Sequence, residues 1–220
     1  MNKFPTLRTV LMVLVLLGAT AFAADIENGQ SIAMQGTTTG VAACMACHLP
    51  DGSGVPGAPF PRLAGLNAAY IVKQLQDFRD DLRSDPSMSP VAKALTPEQS
   101  EDVAAYFASL DTPFREMGEA DPDVMALGEQ LAINGAWDRY VPSCQNCHGP
   151  GGHGSGLNFP AIAGQSPEYI VQQFKYWRDG QRKNDALGLM AAVAERLTSE
   201  EISAVATYYA HIVSEEEESE

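Results

Sequence analysis

Two short stretches of the chain place a pair of thiols directly before an imidazole. Residues 44–48 read CMACH and residues 144–148 read CQNCH, and together they contain all four cysteines of the protein. A C-x-x-C-H motif is typical of covalent haem attachment, because two thiols can add to the haem vinyl groups while the adjacent histidine binds the iron. The candidate attachment and iron-binding residues are Cys44, Cys47, His48, Cys144, Cys147 and His148.

Cysteine pairs also occur in structural zinc sites, in redox-active disulfides and in the disulfide frameworks of exported proteins. A structural zinc site uses four ligands, whereas each motif supplies three, and the remaining His153 and His211 do not occupy matching positions. A thioredoxin-like pair would lie in a βαβ unit, and no alternating strand pattern is present. A disulfide framework leaves the histidine after each pair unexplained. The pattern favours haem, with His153 as a loop residue near the second haem edge.

The two motifs belong to two copies of one longer pattern. The sequence FPRLAG at residues 60–65 corresponds to FPAIAG at 159–164, and YIVKQL at 70–75 corresponds to YIVQQF at 169–174. The offset between matching residues stays between 99 and 102 along the whole repeat. A repeat of this length, with small insertions in loops, indicates a tandem duplication of one domain.

One methionine occupies the same frame in each copy, where Met88 follows His48 by 40 residues and Met190 follows His148 by 42. Thioether ligation opposite histidine raises the reduction potential of a haem and closes its iron to other ligands. Methionine is more often a core residue, but the other methionines of the repeats do not match between the copies. We therefore predict that Met88 and Met190 are the sixth ligands.

The elements that must position these residues are predicted to be helices. Each copy has a first helix (residues 26–34 and 124–133) and a middle helix that begins near Tyr70 or Tyr169. The last helix of each copy follows a capping box, TPEQ at residues 96–99 or TSEE at 198–201. The expected fold class is all-α. The expected domains are residues 24–110 and 124–213, with a linker at 111–123 and an acidic tail at 214–220.

The amino-terminal residues 1–23 have the features of an export signal. Two basic residues precede the apolar run VLMVLVLL at 10–17, and small residues lead up to Ala23, where we expect cleavage. An uncleaved membrane anchor is the alternative, but this run is shorter than the roughly 20 residues that a bilayer requires. We therefore expect a soluble protein in the periplasm.

The chain is strongly acidic. It has 14 basic and 28 acidic residues, and loss of residues 1–23 would remove two basic residues and no acidic one, giving a formal charge of −16. Such a charge argues against DNA, RNA or any other nucleic acid as a partner, because phosphates would be repelled. It suits solubility and attraction to a basic protein surface.

These motifs, in this order and twice over, resemble the dihaem cytochromes c of the cytochrome c4 type, which consist of two class I cytochrome c domains. The resemblance covers essentially the whole chain after residue 23 and implies two covalently bound haem c groups. It also implies that the carbonyl groups of Pro61 and Pro160 accept the N–H of the iron-bound histidines. Tyr70 and Tyr169 would reach haem propionates. The first helix would cross the last closely at a glycine in each copy.

The two copies also differ in ways that bear on their haems. The second copy has Gln165 after its Ala-Gly pair, as is usual in the family, whereas the first has Leu66. The loop before the methionine is one residue longer in the second copy (GQRKND, residues 180–185) than in the first (DLRSD, residues 81–85, after Asp80). The two haems are therefore expected to have different reduction potentials.

With both irons six-coordinate, the expected function is electron transfer, and no catalytic residue is assigned. The chain would be a periplasmic shuttle from a quinol-oxidising complex or dehydrogenase to a terminal oxidase or reductase. One alternative, also drawn from the resemblance, is the cytochrome subunit of a flavoprotein sulfide dehydrogenase. Another is a dihaem peroxidase, which would need one iron with an open sixth position, and the two methionines argue against it.

Overall fold

The computed structural model describes residues 23–55, 57–111, 117–185 and 187–212. The predicted export signal and acidic tail therefore lie outside the described residues, apart from Ala23. Residues 112–116 of the predicted linker also lie outside them, and its last two residues are helical, because the first helix of the second repeat begins at Pro122.

The described residues form two successive sets of five α-helices. In the first repeat these are α1 (Ile26–Gln35), α2 (Met45–His48), α3 (Ala68–Arg79), α4 (Met88–Ala94) and α5 (Pro97–Ala108). In the second they are α6 (Pro122–Asn134), α7 (Gln145–His148), α8 (Pro167–Arg178), α9 (Leu189–Arg196) and α10 (Ser199–His211). Two short 3-10 turns, Trp137–Arg139 and Pro150–Gly152, occur only in the second set. Extended pairing within the described ranges is limited to isolated β-bridges, so the predicted all-α fold is confirmed.

The first and last helices of each repeat cross at a glycine. A Cβ atom added to Gly29 in α1 would lie 2.1 Å from the backbone oxygen of Asp102 in α5. A Cβ atom added to Gly128 in α6 would lie 2.4 Å from the backbone oxygen of Ala204 in α10. Such separations are far inside van der Waals contact, so only glycine allows these backbones to approach. This crossing was expected from the resemblance.

The helix termini follow the local sequence. Both predicted capping boxes are present, with Thr96 and Gln99 at the start of α5 and Thr198 and Glu201 at the start of α10. The middle helices begin two residues before the tyrosines from which they were predicted. The reason is that the side chains of Asn67 and Ser166 cap them by accepting backbone N–H groups.

The two repeats have separate hydrophobic cores. The first is built on aromatic and aliphatic residues of α1, α3 and α5, and the second on the corresponding residues of α6, α8 and α10. Residues of both cores also line a cavity beside the C-x-x-C-H helices. Across the described ranges, no helix is both long and apolar enough to cross a membrane.

Candidate haem-binding site

Each C-x-x-C-H motif forms a single helical turn, α2 or α7. The first cysteine of each motif precedes the turn, and its carbonyl accepts the backbone N–H of the histidine at 2.9 Å in both repeats. A helical turn places residues three apart on one side, so the two cysteines of each motif lie on the same side. None of the four cysteines forms a disulfide bond.

The histidine after each pair is held by a proline carbonyl. The Nδ1–H of His48 donates to the carbonyl of Pro61 at 2.9 Å, and that of His148 donates to Pro160 at 2.8 Å. Burial holds the pKa of both imidazoles below the usual value, so they are neutral. With Nδ1 protonated, Nε2 carries the lone pair that a metal requires. The contact that the resemblance predicted is present in both repeats.

Both motifs line one continuous cavity of about 900 Å³ that crosses from one repeat to the other. Its walls are largely apolar. The predicted residues that line it are Cys44, Cys47, His48, Pro61, Tyr70, Met88, Cys144, Cys147, His148, Pro160, Tyr169 and Met190. The structure thus brings every predicted attachment, axial and supporting residue to one space. His153 is exposed and does not line this cavity.

An aspartate fixes the backbone at each methionine. The carboxylate of Asp85 accepts the backbone N–H of Met88 at 2.9 Å, and that of Asp185 accepts the N–H of Met190 at 2.5 Å. Both methionine side chains are half-buried against the core of their own repeat. The aspartates were not predicted as site residues, although their matching positions after the two loops were visible in the sequence.

The two repeats meet at a pair of arginines that the sequence reasoning missed. Arg83 donates to Tyr169 Oη at 2.8 Å and to Gln173 Oε1 at 2.7 Å, both in the other repeat. Arg182 donates to Tyr70 Oη at 3.4 Å and to Gln74 Oε1 at 3.3 Å, again in the other repeat. A signal for them was present in the sequence. Arg83 and Arg182 are 99 residues apart, as are Tyr70 and Tyr169 and also Gln74 and Gln173.

The pKa values of the two interface tyrosines shift in opposite directions. Burial favours the neutral phenol of Tyr70 and raises its pKa, although both arginines oppose this. For Tyr169, Arg83 and Arg182 together outweigh burial and lower the pKa. Both hydroxyl groups accept hydrogen bonds from guanidinium groups.

A third buried contact between the repeats breaks their symmetry. Gln165 accepts the backbone N–H of Arg62 at 2.8 Å and donates to its carbonyl at 3.1 Å. The Arg62 guanidinium donates to the carbonyl of Ala163 at 3.0 Å, and burial lowers its pKa to about 10. The matching residue of the first repeat, Leu66, is instead part of the first core. Gln165, where the second repeat differs from the first in sequence, therefore forms a contact between the repeats.

Two family models match the chain, one in each repeat. A model of cytochrome c matches residues 26–111. A model described as cytochrome c oxidase, cbb3-type, subunit III matches residues 132–208. Each match includes one C-x-x-C-H motif and the histidine–proline contact that supports it.

Similar proteins cover nearly the whole length of this chain. A relative from Stutzerimonas stutzeri (strain A1501), named thiosulfate dehydrogenase electron acceptor, is 44% identical over 90% of this chain and 91% of its own. The crystal structure of reduced cytochrome c4 from Pseudomonas stutzeri matches with a TM-score of 0.74 and 35% identity, over 86% of this chain and 100% of that one. The chain belongs to the dihaem cytochromes c of the cytochrome c4 type. This cytochrome therefore has two covalently bound haem c groups and transfers electrons.

A longer protein also contains the same two-domain unit. The thiosulfate dehydrogenase TsdBA from Marichromatium purpuratum, in its as-isolated form, matches with a TM-score of 0.79 and 42% identity over 84% of this chain. The cytochrome spans 40% of that longer chain.

The buried arginines of this cytochrome indicate whether its cavity suits haem. The hydrogen-bond partners of Arg83 and Arg182 in the described part of the chain are neutral side chains, and Arg83 Nε is buried without a partner. Asp85 attracts Arg83 through space but accepts no hydrogen bond from it, and a buried charge that is not directly paired costs several kcal/mol. Both guanidinium groups line the cavity, where the propionates of haem would supply carboxylates. The residues present therefore fit the two groups.

The second site contains a further buried donor that the first lacks. Trp177 Nε1 lines the cavity and has no hydrogen-bond partner among the described residues. The matching residue of the first repeat is Phe78. The guanidinium of Arg182 lies 4.2 Å from the Trp177 ring centre, and that of Arg83 lies 4.5 Å from the Phe78 ring centre. The two sites of this cytochrome are therefore similar in plan and different in hydrogen bonding.

Proposed function

We propose that this cytochrome is a periplasmic electron carrier that accepts electrons from a thiosulfate-oxidising dehydrogenase. It would pass them on to a membrane-bound oxidase or reductase complex. The observation that carries the proposal is the single cavity that joins both sets of haem-binding residues across the domain interface. The thiosulfate donor is supported by the name of the relative from Stutzerimonas stutzeri, which matches over nearly its full length.

Within each domain, the geometry supports a role for each predicted residue. Cys44 and Cys47 would hold the first haem by thioether bonds, and the Nε2 atom of His48 and the sulfur of Met88 would bind its iron. In the second domain, Cys144 and Cys147 would hold the haem, and His148 and Met190 would bind the iron. Each haem supplies reversible one-electron chemistry when bound. The Pro61 and Pro160 carbonyls orient the histidine rings and make them stronger ligands.

The interface arginines have a role in this function. Arg83 and Arg182 would bind haem propionates while keeping their contacts to Tyr169 and Tyr70 across the interface. This arrangement holds the two domains in one relative orientation, and with it the separation of the two haems. A fixed, short separation is what electron exchange inside the molecule requires.

The location follows from the amino-terminal sequence. Residues 1–23 would direct export and be removed, and covalent haem attachment would follow outside the cytoplasm. The domains would then be residues 24–110 and 124–213, joined by residues 111–123. With Met88 and Met190 as sixth ligands, the cytochrome would act as an electron carrier and need no catalytic residue of its own.

A redox titration followed by optical spectra tests the carrier function. Two one-electron steps and low-spin spectra with methionine–iron absorption are expected. Met88→Ala and Met190→Ala should each remove about half of that absorption, whereas Met117→Ala, at an exposed methionine, should leave it intact. A high-spin haem in the untreated protein, together with peroxide turnover, would instead indicate a peroxidase.

Rapid mixing tests the donor. The oxidised cytochrome is mixed with a thiosulfate dehydrogenase and thiosulfate, and haem reduction is followed. Fast reduction that depends on both the enzyme and thiosulfate is expected. If reduction is slow, and the cytochrome co-purifies with a flavoprotein and is reduced by it in the presence of sulfide, the thiosulfate donor is wrong.

A further inference from the structure

The last helix of each domain places one aromatic ring against the haem cavity. In the first domain this residue is Phe107, and in the second it is Tyr209, at the matching position of the repeat. Each ring is only 2% exposed. The second site therefore contains a buried hydroxyl group at a place where the first site has none.

The two rings are held in the same way, so the comparison between them is direct. The carbonyl of Phe107 accepts the N–H of Gly65 at 3.0 Å, and the carbonyl of Tyr209 accepts the N–H of Gly164 at 2.8 Å. A Cβ atom added to Gly52 would lie 3.1 Å from the Phe107 ring. A Cβ atom at Gly152 would lie 2.5 Å from the Tyr209 ring. Backbone and ring thus have equivalent surroundings, and the hydroxyl is the chemical difference.

The Tyr209 hydroxyl group is a buried hydrogen-bond donor. Its oxygen is buried and makes no hydrogen bond of normal geometry among the described residues, but it interacts with the thiol of Cys144, which packs against the same core. Burial, followed by its interaction with the neighbouring Cys144 thiol, raises the pKa of Tyr209, so the group keeps its proton. A buried hydroxyl that lacks a partner is destabilising, and such a group is uncommon in a native protein.

The neighbouring sulfur changes character when haem is attached. As a free thiol, Cys144 donates its S–H to the carbonyl of Leu131, at an S···O distance of 3.7 Å. On attachment the S–H adds across a vinyl C=C bond. A C–S bond forms, the hydrogen passes to the other vinyl carbon, and no electron is gained or lost overall. The resulting thioether sulfur has no proton and can only accept hydrogen bonds.

We propose that Tyr209 donates its hydroxyl hydrogen to the thioether sulfur of Cys144 and thereby raises the reduction potential of the second haem. The proton end of the O–H dipole points towards the haem and stabilises the form that carries the additional electron. Hydrogen bonding around a haem is an established way for a protein to set its potential. The first domain has Phe107 at this position and lacks the effect. This inference rests on the proposed attachment of haem to Cys144.

Two matched variants of the haem-loaded, full-length protein test this role. Tyr209→Phe removes only the hydroxyl, and Phe107→Tyr adds one at the matching place in the other domain. In a spectroscopic redox titration, Tyr209→Phe should lower the potential of one step and leave the other unchanged. The equilibrium constant for sharing an electron between the haems should change roughly two- to tenfold, as for the loss of one hydrogen bond. Phe107→Tyr should raise the reduction potential of the other step.

The same samples separate this inference from the proposed function. Haem content and the methionine–iron absorption are measured alongside the potentials. Two haems with intact absorption and an unchanged potential in Tyr209→Phe would overturn the role of Tyr209 and leave the electron carrier standing. A shift of both steps by the same amount would also overturn it, since a general loosening of the fold would then be the cause. One haem per chain in the unmodified protein would contradict the proposed function itself.

Discussion

Arg83 and Arg182, which occupy matching positions in the two repeats, lie opposite each other as the two residues of an antiparallel β-bridge. The flanking hydrogen bonds are symmetric: Ser84 N–H donates to the Gln181 carbonyl and Lys183 N–H donates to the Leu82 carbonyl, both at 2.7 Å. The duplicated domains therefore meet as two subunits of a symmetric dimer would. Two copies of one loop, residues 82–84 and 181–183, thus form a twofold interface within one chain. This interface lies beside the haem cavity.

We expect Arg83→Gln to destabilise the haem-loaded protein by roughly 2 to 3 kcal/mol, because buried hydrogen bonds from a charged group are lost. It should also lower a haem potential, because a positive charge is removed from the cavity. Denaturant unfolding and a redox titration measure the two effects. Lys93→Gln removes a charge at an exposed site and serves as the control. If Arg83→Gln and Lys93→Gln change the free energy of unfolding and the haem potentials by the same amount, Arg83 does not bind the propionates.

The helix crossings give a second prediction. Gly29→Ala should destabilise the first domain by about 3 kcal/mol or prevent its folding, since the new methyl group would overlap the Asp102 carbonyl. Gly128→Ala should do the same in the second domain. Gly118→Ala is the control, because an added Cβ atom there has no neighbour within 4 Å. Thermal unfolding followed by circular dichroism measures the effect. A native unfolding temperature for Gly29→Ala would show that the crossing is not as close as described.

Local features of this protein could be predicted from the sequence, and long-range ones could not. The capping boxes at Thr96 and Thr198 depend on residues near in sequence. The glycine crossings join residues more than 70 positions apart, and only the family resemblance predicted them. The contacts of Arg83 and Arg182 depend on the relative orientation of two domains, which no local pattern encodes. Their only trace in the sequence is a common offset with tyrosines and glutamines that turn out to be their partners.

A bond across the interface should stabilise the Met88 loop. Tyr176 in α8 donates its hydroxyl to Asp85 Oδ2 at 3.0 Å, while Asp85 Oδ1 accepts the N–H of Met88. Burial, together with Asp85, raises the pKa of Tyr176 to about 12, so it remains a donor near neutral pH. Tyr176→Phe should therefore cause the methionine–iron absorption of the first haem to disappear at a lower temperature.

The control for this variant is Tyr140→Phe, at a tyrosine that is 81% exposed. The two haems are told apart in a Met190→Ala background, where the remaining methionine–iron absorption belongs to the first haem. If the temperature of its disappearance is the same with and without Tyr176→Phe, Asp85 holds the loop without help from the second domain.

An ion pair in the second domain predicts a dependence on acid. Arg139 binds Glu201 through two hydrogen bonds, of 2.6 and 2.9 Å, and the pair is partly exposed. The Arg139 guanidinium, the largest influence, together with the capping contact to Thr198, lowers the pKa of Glu201 from 4.5 to about 2. A carboxylate whose pKa is lower in the folded protein than in the unfolded chain stabilises the folded state at pH values above its pKa in the unfolded chain. That contribution is complete above pH 4.5 and is lost as the pH falls towards 2.

Glu201→Gln isolates this contribution, because the first domain already has glutamine at the matching position, Gln99, and still forms its capping box. The variant should therefore keep the helix start and lose the ion pair. At pH 6 we expect its unfolding temperature to be a few degrees lower than that of the unmodified protein, since partly exposed ion pairs contribute modestly. Between pH 4.5 and 2 the difference should shrink to nothing. A difference that persists at pH 2 would mean that the amide disturbs the cap and that the ion pair is not the cause.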